Sequence, residues 1–169
     1  MQDENQSEEG ASGADERGEN QMKYNAEVRE YHDVVYDTLS RAQKLDLYLP
    51  ENGKGPFPLI FFIHGGGWFT GDKADGQESA WVTLREKGYA VASVNYRLSS
   101  EAPHPAGIID CKTALRYLKA HAEEYGIDAG KIAVSGDSSG GHYALMLSFS
   151  MAVQTVSVRL SSHREFTGK

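Results

Sequence analysis

Cysteine is nearly missing from this chain. Cys111 is its only copy, which excludes a disulfide within the chain and any metal site built from cysteines. Cys111 lies among Ile108, Ala114, Leu115 and Leu118 at helical spacing, a pattern that predicts a packed core thiol and not a nucleophile. Long apolar runs are missing too: none approaches the length needed to cross a bilayer. The first residues lack the basic start and apolar stretch of a secretory signal. The expectation is a cytoplasmic protein without a membrane partner. No histidine, cysteine or carboxylate spacing suits a metal, and neither a phosphate-binding Gly-x-x-x-x-Gly-Lys-Ser/Thr nor a spaced Gly-x-Gly-x-x-Gly is present, so no cofactor is expected and a nucleotide-binding domain is disfavoured.

Basic residues are scarce as well. Of the net charge of −7, the first 20 residues hold −6, from Asp3, Glu4, Glu8, Glu9, Asp15, Glu16 and Glu19 against Arg17, leaving −1 for the other 149. A nearly neutral body with no basic stripe argues against nucleic acid as a partner. The acidic start has no apolar run, cannot offset the entropy of ordering, and is expected to be disordered over residues 1–26. Residues 27–150 read as a partial α/β domain, and 151–169 as an atypical tail.

Between those ends the chain alternates strand and helix patterns. Leu45, Leu47 and Leu49 alternate with polar neighbours and, with the segment from Val28, suggest a half-exposed hairpin at a sheet edge. The turn-rich Pro50–Pro56 precedes Pro58-Leu59-Ile60-Phe61-Phe62-Ile63, an apolar run expected to be a parallel strand buried on both faces. A helix over 78–87 stopped by Gly88, a strand over 89–94, a helix over about 107–125 stopped by Gly126, a strand over 131–135 and a helix from about 140 to 150 follow. The order β-β-β-α-β-α-β-α describes an α/β fold, a mostly parallel sheet flanked by helices.

Two motifs carry chemistry. Gly136-Asp137-Ser138-Ser139-Gly140 is a Gly-x-Ser-x-Gly pentapeptide between a predicted strand and a predicted helix. A serine hydroxyl stands clear of the backbone only on a sharp turn that bulky neighbours would block, and Gly136 and Gly140 supply the space. The second motif, His64-Gly65-Gly66-Gly67-Trp68, ends the apolar run and can aim backbone N–H groups at developing negative charge. The pair, in this order and each at a strand end, points to acyl transfer. The inserted serine in Gly-Asp-Ser-Ser-Gly-Gly separates the chain from the Gly-Asp-Ser-Gly-Gly of chymotrypsin-like proteases, whose all-β barrel the strand–helix alternation also contradicts.

With these motifs stand Lys44-Leu45-Asp46-Leu47-Tyr48-Leu49-Pro50, Gly71-Asp72-Lys73, Asn95-Tyr96-Arg97-Leu98 and Gly140-Gly141-His142. On these residues the chain, over about 28–150, resembles a carboxylesterase of the α/β-hydrolase superfamily, in its feruloyl-esterase-like and hormone-sensitive-lipase-like branches. The resemblance implies the N-terminal part of that fold, an ester substrate, Ser138 as nucleophile, and an oxyanion hole made by the N–H groups of Gly66, Gly67 and Ser139. His64 is expected to shape the oxyanion loop, Asp137 to brace the turn, and His142 to pack.

The fold supplies its triad in the order Ser, Asp or Glu, His. After Ser138 the chain has only Glu165 as an acid and only His142 and His163 as histidines, so that order cannot be assigned. The base is missing, is His163, or comes from another polypeptide. A truncated product follows as an expectation, and with it a bare sheet edge that invites self-association. Two functions stand: a serine hydrolase of small acyl esters, and a catalytically incomplete fragment that binds a partner or is inactive.

Overall fold

The computed structural model describes residue 27 and residues 29–75 and 78–161. The expected disordered start, and His163 and Glu165, lie outside the described residues. The elements are β1 (Glu30–Val35), β2 (Lys44–Tyr48), β3 (Phe57–Ile63), α1 (Glu78–Glu86), β4 (Ala90–Val94), α2 (Ala106–Ala120), α3 (Ala122–Tyr125), β5 (Ile127–Gly136) and α4 (Ser139–Ser161).

The five strands form one mixed sheet in the order β1-β2-β4-β3-β5. β3 runs parallel to both β4 and β5, whereas the β1–β2 hairpin joins β4 antiparallel. The expected edge hairpin is therefore present, and the parallel part is the three strands around β3. Register explains the core. Leu45 pairs with Val94, Leu47 and Phe61 both pair with Ala92, and Phe61 also pairs with Val134. These residues share one face, where Leu45, Leu47, Phe61, Ala92 and Val94 have no exposure at all. Cys111, Ala114 and Leu118 of α2 and Leu147 of α4 join the same cluster, each large apolar side chain contributing about 1.5–3 kcal/mol. Cys111 is thus the core thiol that its spacing predicts, and burial pushes its pKa well above the ordinary value.

The opposite face carries Asp46, paired with Ser93, which in turn pairs with Phe62. There the buried Trp81 of α1 lies 5.2 Å from the Tyr48 ring and 6.1 Å from Phe62. α1 covers this face only in part, so β3 alternates between buried and half-buried residues and is not enclosed on both sides as its apolar run suggests. β4 is buried throughout. β5 is longer than expected and largely uncovered, because it is the outermost strand and its register with β3 shifts between Phe57 and Leu59.

The expected helix over 107–125 is two helices. His121, at φ −106° and ψ 18°, breaks it. Its ring stacks on Tyr117 at 4.1 Å, and its Nδ1 lies 2.8 Å from the Tyr117 carbonyl. Gly126 ends α3 in the left-handed region, φ +65°, as a terminating glycine should. The last helix continues through the segment read as a tail, to Ser161.

Candidate active site

The serine turn is two residues long. β5 ends at Gly136 and α4 starts at Ser139, so Asp137 and Ser138 must reverse the chain, and Ser138 does so at φ +49°. That left-handed conformation costs a non-glycine residue about 1–2 kcal/mol and persists only where the surroundings enforce it. Close packing enforces it here. A Cβ on Gly136 would lie 2.5 Å from the Gly140 carbonyl carbon, and one on Gly140 would overlap the Ile63 carbonyl oxygen. The N–H groups of Gly140 and Gly141 donate to the Asp137 carbonyl at 2.8 and 3.2 Å, starting α4 directly behind the serine. Ser138 itself is exposed.

The glycine loop leaves β3 at the same end of the sheet. Gly66, Gly67, Trp68 and Gly71 all have positive φ, at +103°, +62°, +63° and +109°. Phe69 and Thr70 both donate N–H to the Gly66 carbonyl at 3.1 Å, closing a tight turn. Two bonds tie this turn to the serine turn. The Gly65 N–H donates to Asp137 Oδ1 at 2.9 Å, and the Trp68 N–H donates to Ser139 Oγ at 3.3 Å. The four residues Gly66, Gly67, Ser138 and Ser139 are thereby brought together from strand ends 73 residues apart in sequence, Ile63 and Gly136. Among the described residues, no hydrogen bond occupies the N–H of Gly66, Gly67 or Ser139. The start of α4 adds its partial positive charge to the same spot.

His64 is buried, stacked on Tyr96 at 4.5 Å, with Nδ1 donating to the Gly65 carbonyl at 2.8 Å. This is the geometry of a loop-shaping residue. Asp137 spends its carboxylate on Gly65, one loop away, and so braces two turns. His142 is exposed on the first turn of α4, its ring edge-on to Trp68 at 5.6 Å. Beside the glycine loop a cavity of 310 Å³ is lined by Gly67, Trp68, Arg97, His104, His142 and Tyr143 among others. Arg97 is fixed there by Asp110 through Nε–Oδ2 at 2.8 Å and Nη2–Oδ1 at 2.7 Å, while Gln43 Nε2 donates to the same Oδ1 at 2.9 Å. The sequence reading passed over Asp110. Its signal was available, since an acid on the apolar stripe of a helix must find a cation or donors. Among the described residues no group of histidine, cysteine and carboxylate side chains is arranged to hold a metal ion, and no helix is long and apolar enough to cross a membrane.

A model of the BD-FAE family matches residues 45–169. The chain belongs to the BD-FAE family. It is similar to the probable carboxylic ester hydrolase LipM of Mycobacterium tuberculosis, 40% identical over 112 residues, which are 65% of this chain and 26% of that protein. It is also similar to the carboxylesterase NlhH of the same organism, 37% identical over 114 residues, 68% of this chain and 35% of NlhH. Among solved structures, a bacterial heroin esterase superposes with a TM-score of 0.63 at 37% identity, covering 75% of this chain and 40% of that one. A truncated carbohydrate esterase from gut microbiota gives 0.64 at 38% identity, covering 73% and 43%. The BD-FAE chain thus has an α/β-hydrolase fold, and it spans about a quarter to a third of the length of these curated relatives.

Proposed function

We propose that this BD-FAE chain carries the nucleophile and oxyanion loop of a carboxylic ester hydrolase acting on small acyl esters. One observation supports this above the others: Ser138 stands exposed in a strained turn to which the glycine loop is hydrogen-bonded twice. Ser138 Oγ attacks the ester carbonyl carbon, the carbonyl oxygen gains negative charge, and the N–H groups of Gly66, Gly67 and Ser139 stabilise it. The tetrahedral intermediate expels the alcohol and leaves an acyl-enzyme that water hydrolyses. Each such donor is typically worth about 10²- to 10³-fold in rate.

The proton of Ser138 needs an acceptor. Among the described residues no histidine ring hydrogen-bonds to Ser138, and His163 lies outside them. This favours a second reading, a catalytically incomplete fragment. Hydrolysis of a small chromogenic acetyl ester, compared between the chain and its Ser138→Ala variant with folding checked, separates the two. Turnover abolished in Ser138→Ala supports the hydrolase, and an oxyanion hole with binding alone sustains about 10³- to 10⁴-fold over water when a triad member is lost. Equal background rates from two folded proteins support the fragment. The reading includes an ester as small-molecule partner and self-association of the chain through its β5 edge.

A further inference from the structure

The glycine loop is held at both ends, and only one end touches the serine turn. Its far limb, Gly71 to Asp75, lies against the α1 face of the sheet, where Lys73 is fixed three ways. Its N–H donates to Asn95 Oδ1 at 2.5 Å, its carbonyl accepts from Ser93 Oγ at 2.7 Å, and its Nζ donates to Asp46 Oδ2 at 2.8 Å. Asp46 is on β2, its side chain 4% exposed, and Lys73 is 11% exposed. Asp46 Oδ1 is taken by the Asp33 N–H at 2.8 Å, and Asp33 Oδ1 reaches Lys73 Nζ at 3.2 Å. Asn95 Nδ2 donates to Asp72 Oδ2 at 2.7 Å, closing the network.

We propose that Lys73 is a positioning residue of the oxyanion loop, and that its clasp on Asp46 lets strand β2, held between β1 and β4, set where the Gly66 and Gly67 N–H groups stand. This rests on the reading of those groups as oxyanion donors. The mechanical link is short. Two residues before Lys73, Gly71 is pressed so closely on the His64 ring that a Cβ there would overlap Nδ1, and a Cβ on Gly66 would overlap the Thr70 carbonyl oxygen. His64, Gly66, Thr70 and Gly71 therefore move as one packed unit, and a shift at Lys73 reaches Gly66 with little slack. A buried ion pair is an expensive way to add stability alone, because desolvation offsets much of the attraction; its directional bonds suit it to fixing position. Burial opposes the charge of Lys73, yet its hydrogen bonds to Asp46 and Asp33 hold its pKa above the ordinary value, so Lys73 stays charged in the neutral range.

The test compares the chain with Lys73→Met, Lys73→Arg and the double variant Asp46→Asn with Lys73→Met, which leaves no buried charge unpaired and so guards against misfolding. Backbone amide resonances and hydrogen exchange are read at Gly66 and Gly67, with β3 and α2 as internal references. Lys73→Met and the double variant are expected to shift the Gly66 and Gly67 signals and speed amide exchange across the loop about tenfold, with β3 and α2 unmoved, and Lys73→Arg is expected to restore the wild-type pattern. Where Ser138-dependent turnover is present, kcat falls about ten- to a hundredfold with KM little changed, since a displaced donor acts on the transition state. A folded double variant with wild-type Gly66 and Gly67 signals overturns the clasp. Absence of turnover in the unmodified chain overturns the hydrolase reading alone, because the resonances still decide the positioning role.

Discussion

At the scale of single residues, the site stores strain where chemistry needs exposure. Ser138 at φ +49° and Trp68 at φ +63° are two of the three non-glycine residues with positive φ among the described residues, and both flank the proposed oxyanion position. The strain at Ser138 is separable from its hydroxyl. Ser138→Ala removes the hydroxyl and keeps the left-handed penalty, whereas Ser138→Gly removes both. Glycine gives back part of the gain as backbone entropy, so Ser138→Gly is expected to be more stable than Ser138→Ala by about 0.5–1 kcal/mol. Urea denaturation of the two variants measures it. Equal stabilities would mean that the turn is not strained at Ser138.

At the scale of elements, what joins strands and loops is a few buried polar side chains. Asp110, 1% exposed, reaches from α2 to the Arg97 N–H at 2.9 Å, to the Arg97 guanidinium, and to Gln43 before β2. Asp110→Ala would strand Arg97 and Gln43 together, and a loss of about 3 kcal/mol is expected, as for removing one partner of a buried ion pair. Thermal unfolding of the variant checks this, and a loss near that of a surface substitution would show that solvent replaces the pair. Such contacts were not legible in the sequence, because Gln43, Arg97 and Asp110 meet only after the fold is formed. What was legible follows from local rules: the apolar runs of β3 and β4, the stop at Gly126, and the two glycine motifs whose strand ends now stand side by side. The break at His121 was hidden because the apolar spacing continues through it, and the openness of β3 and β5 because a strand's composition does not tell its place in the sheet.

At the scale of the whole molecule, the sheet of the described residues ends in β5. β5 pairs with β3 on one side, and among the described residues its other side has no strand partner. Ten residues of such an edge present a row of N–H and C=O groups to any extended chain. Charge protects it weakly. Lys131 is 74% exposed but is drawn to Asp128 at 3.2 Å, and Ala133 and Ser135 are exposed and uncharged. Beside this edge a shallow groove is lined by the half-buried Pro58, Ile60 and Ile132 and the exposed Tyr89, and α4 exposes Leu145 and Phe149. A second copy of the chain adding its own β5 satisfies the edge and shelters part of this apolar surface. Sedimentation velocity at micromolar concentration is therefore expected to show a species that grows with concentration. Ala133→Lys, which puts a charge in the middle of the edge strand without touching the serine turn, is expected to shift it to monomer. A clean monomer of the unmodified chain, or an assembly indifferent to Ala133→Lys, removes the β5 edge as the contact.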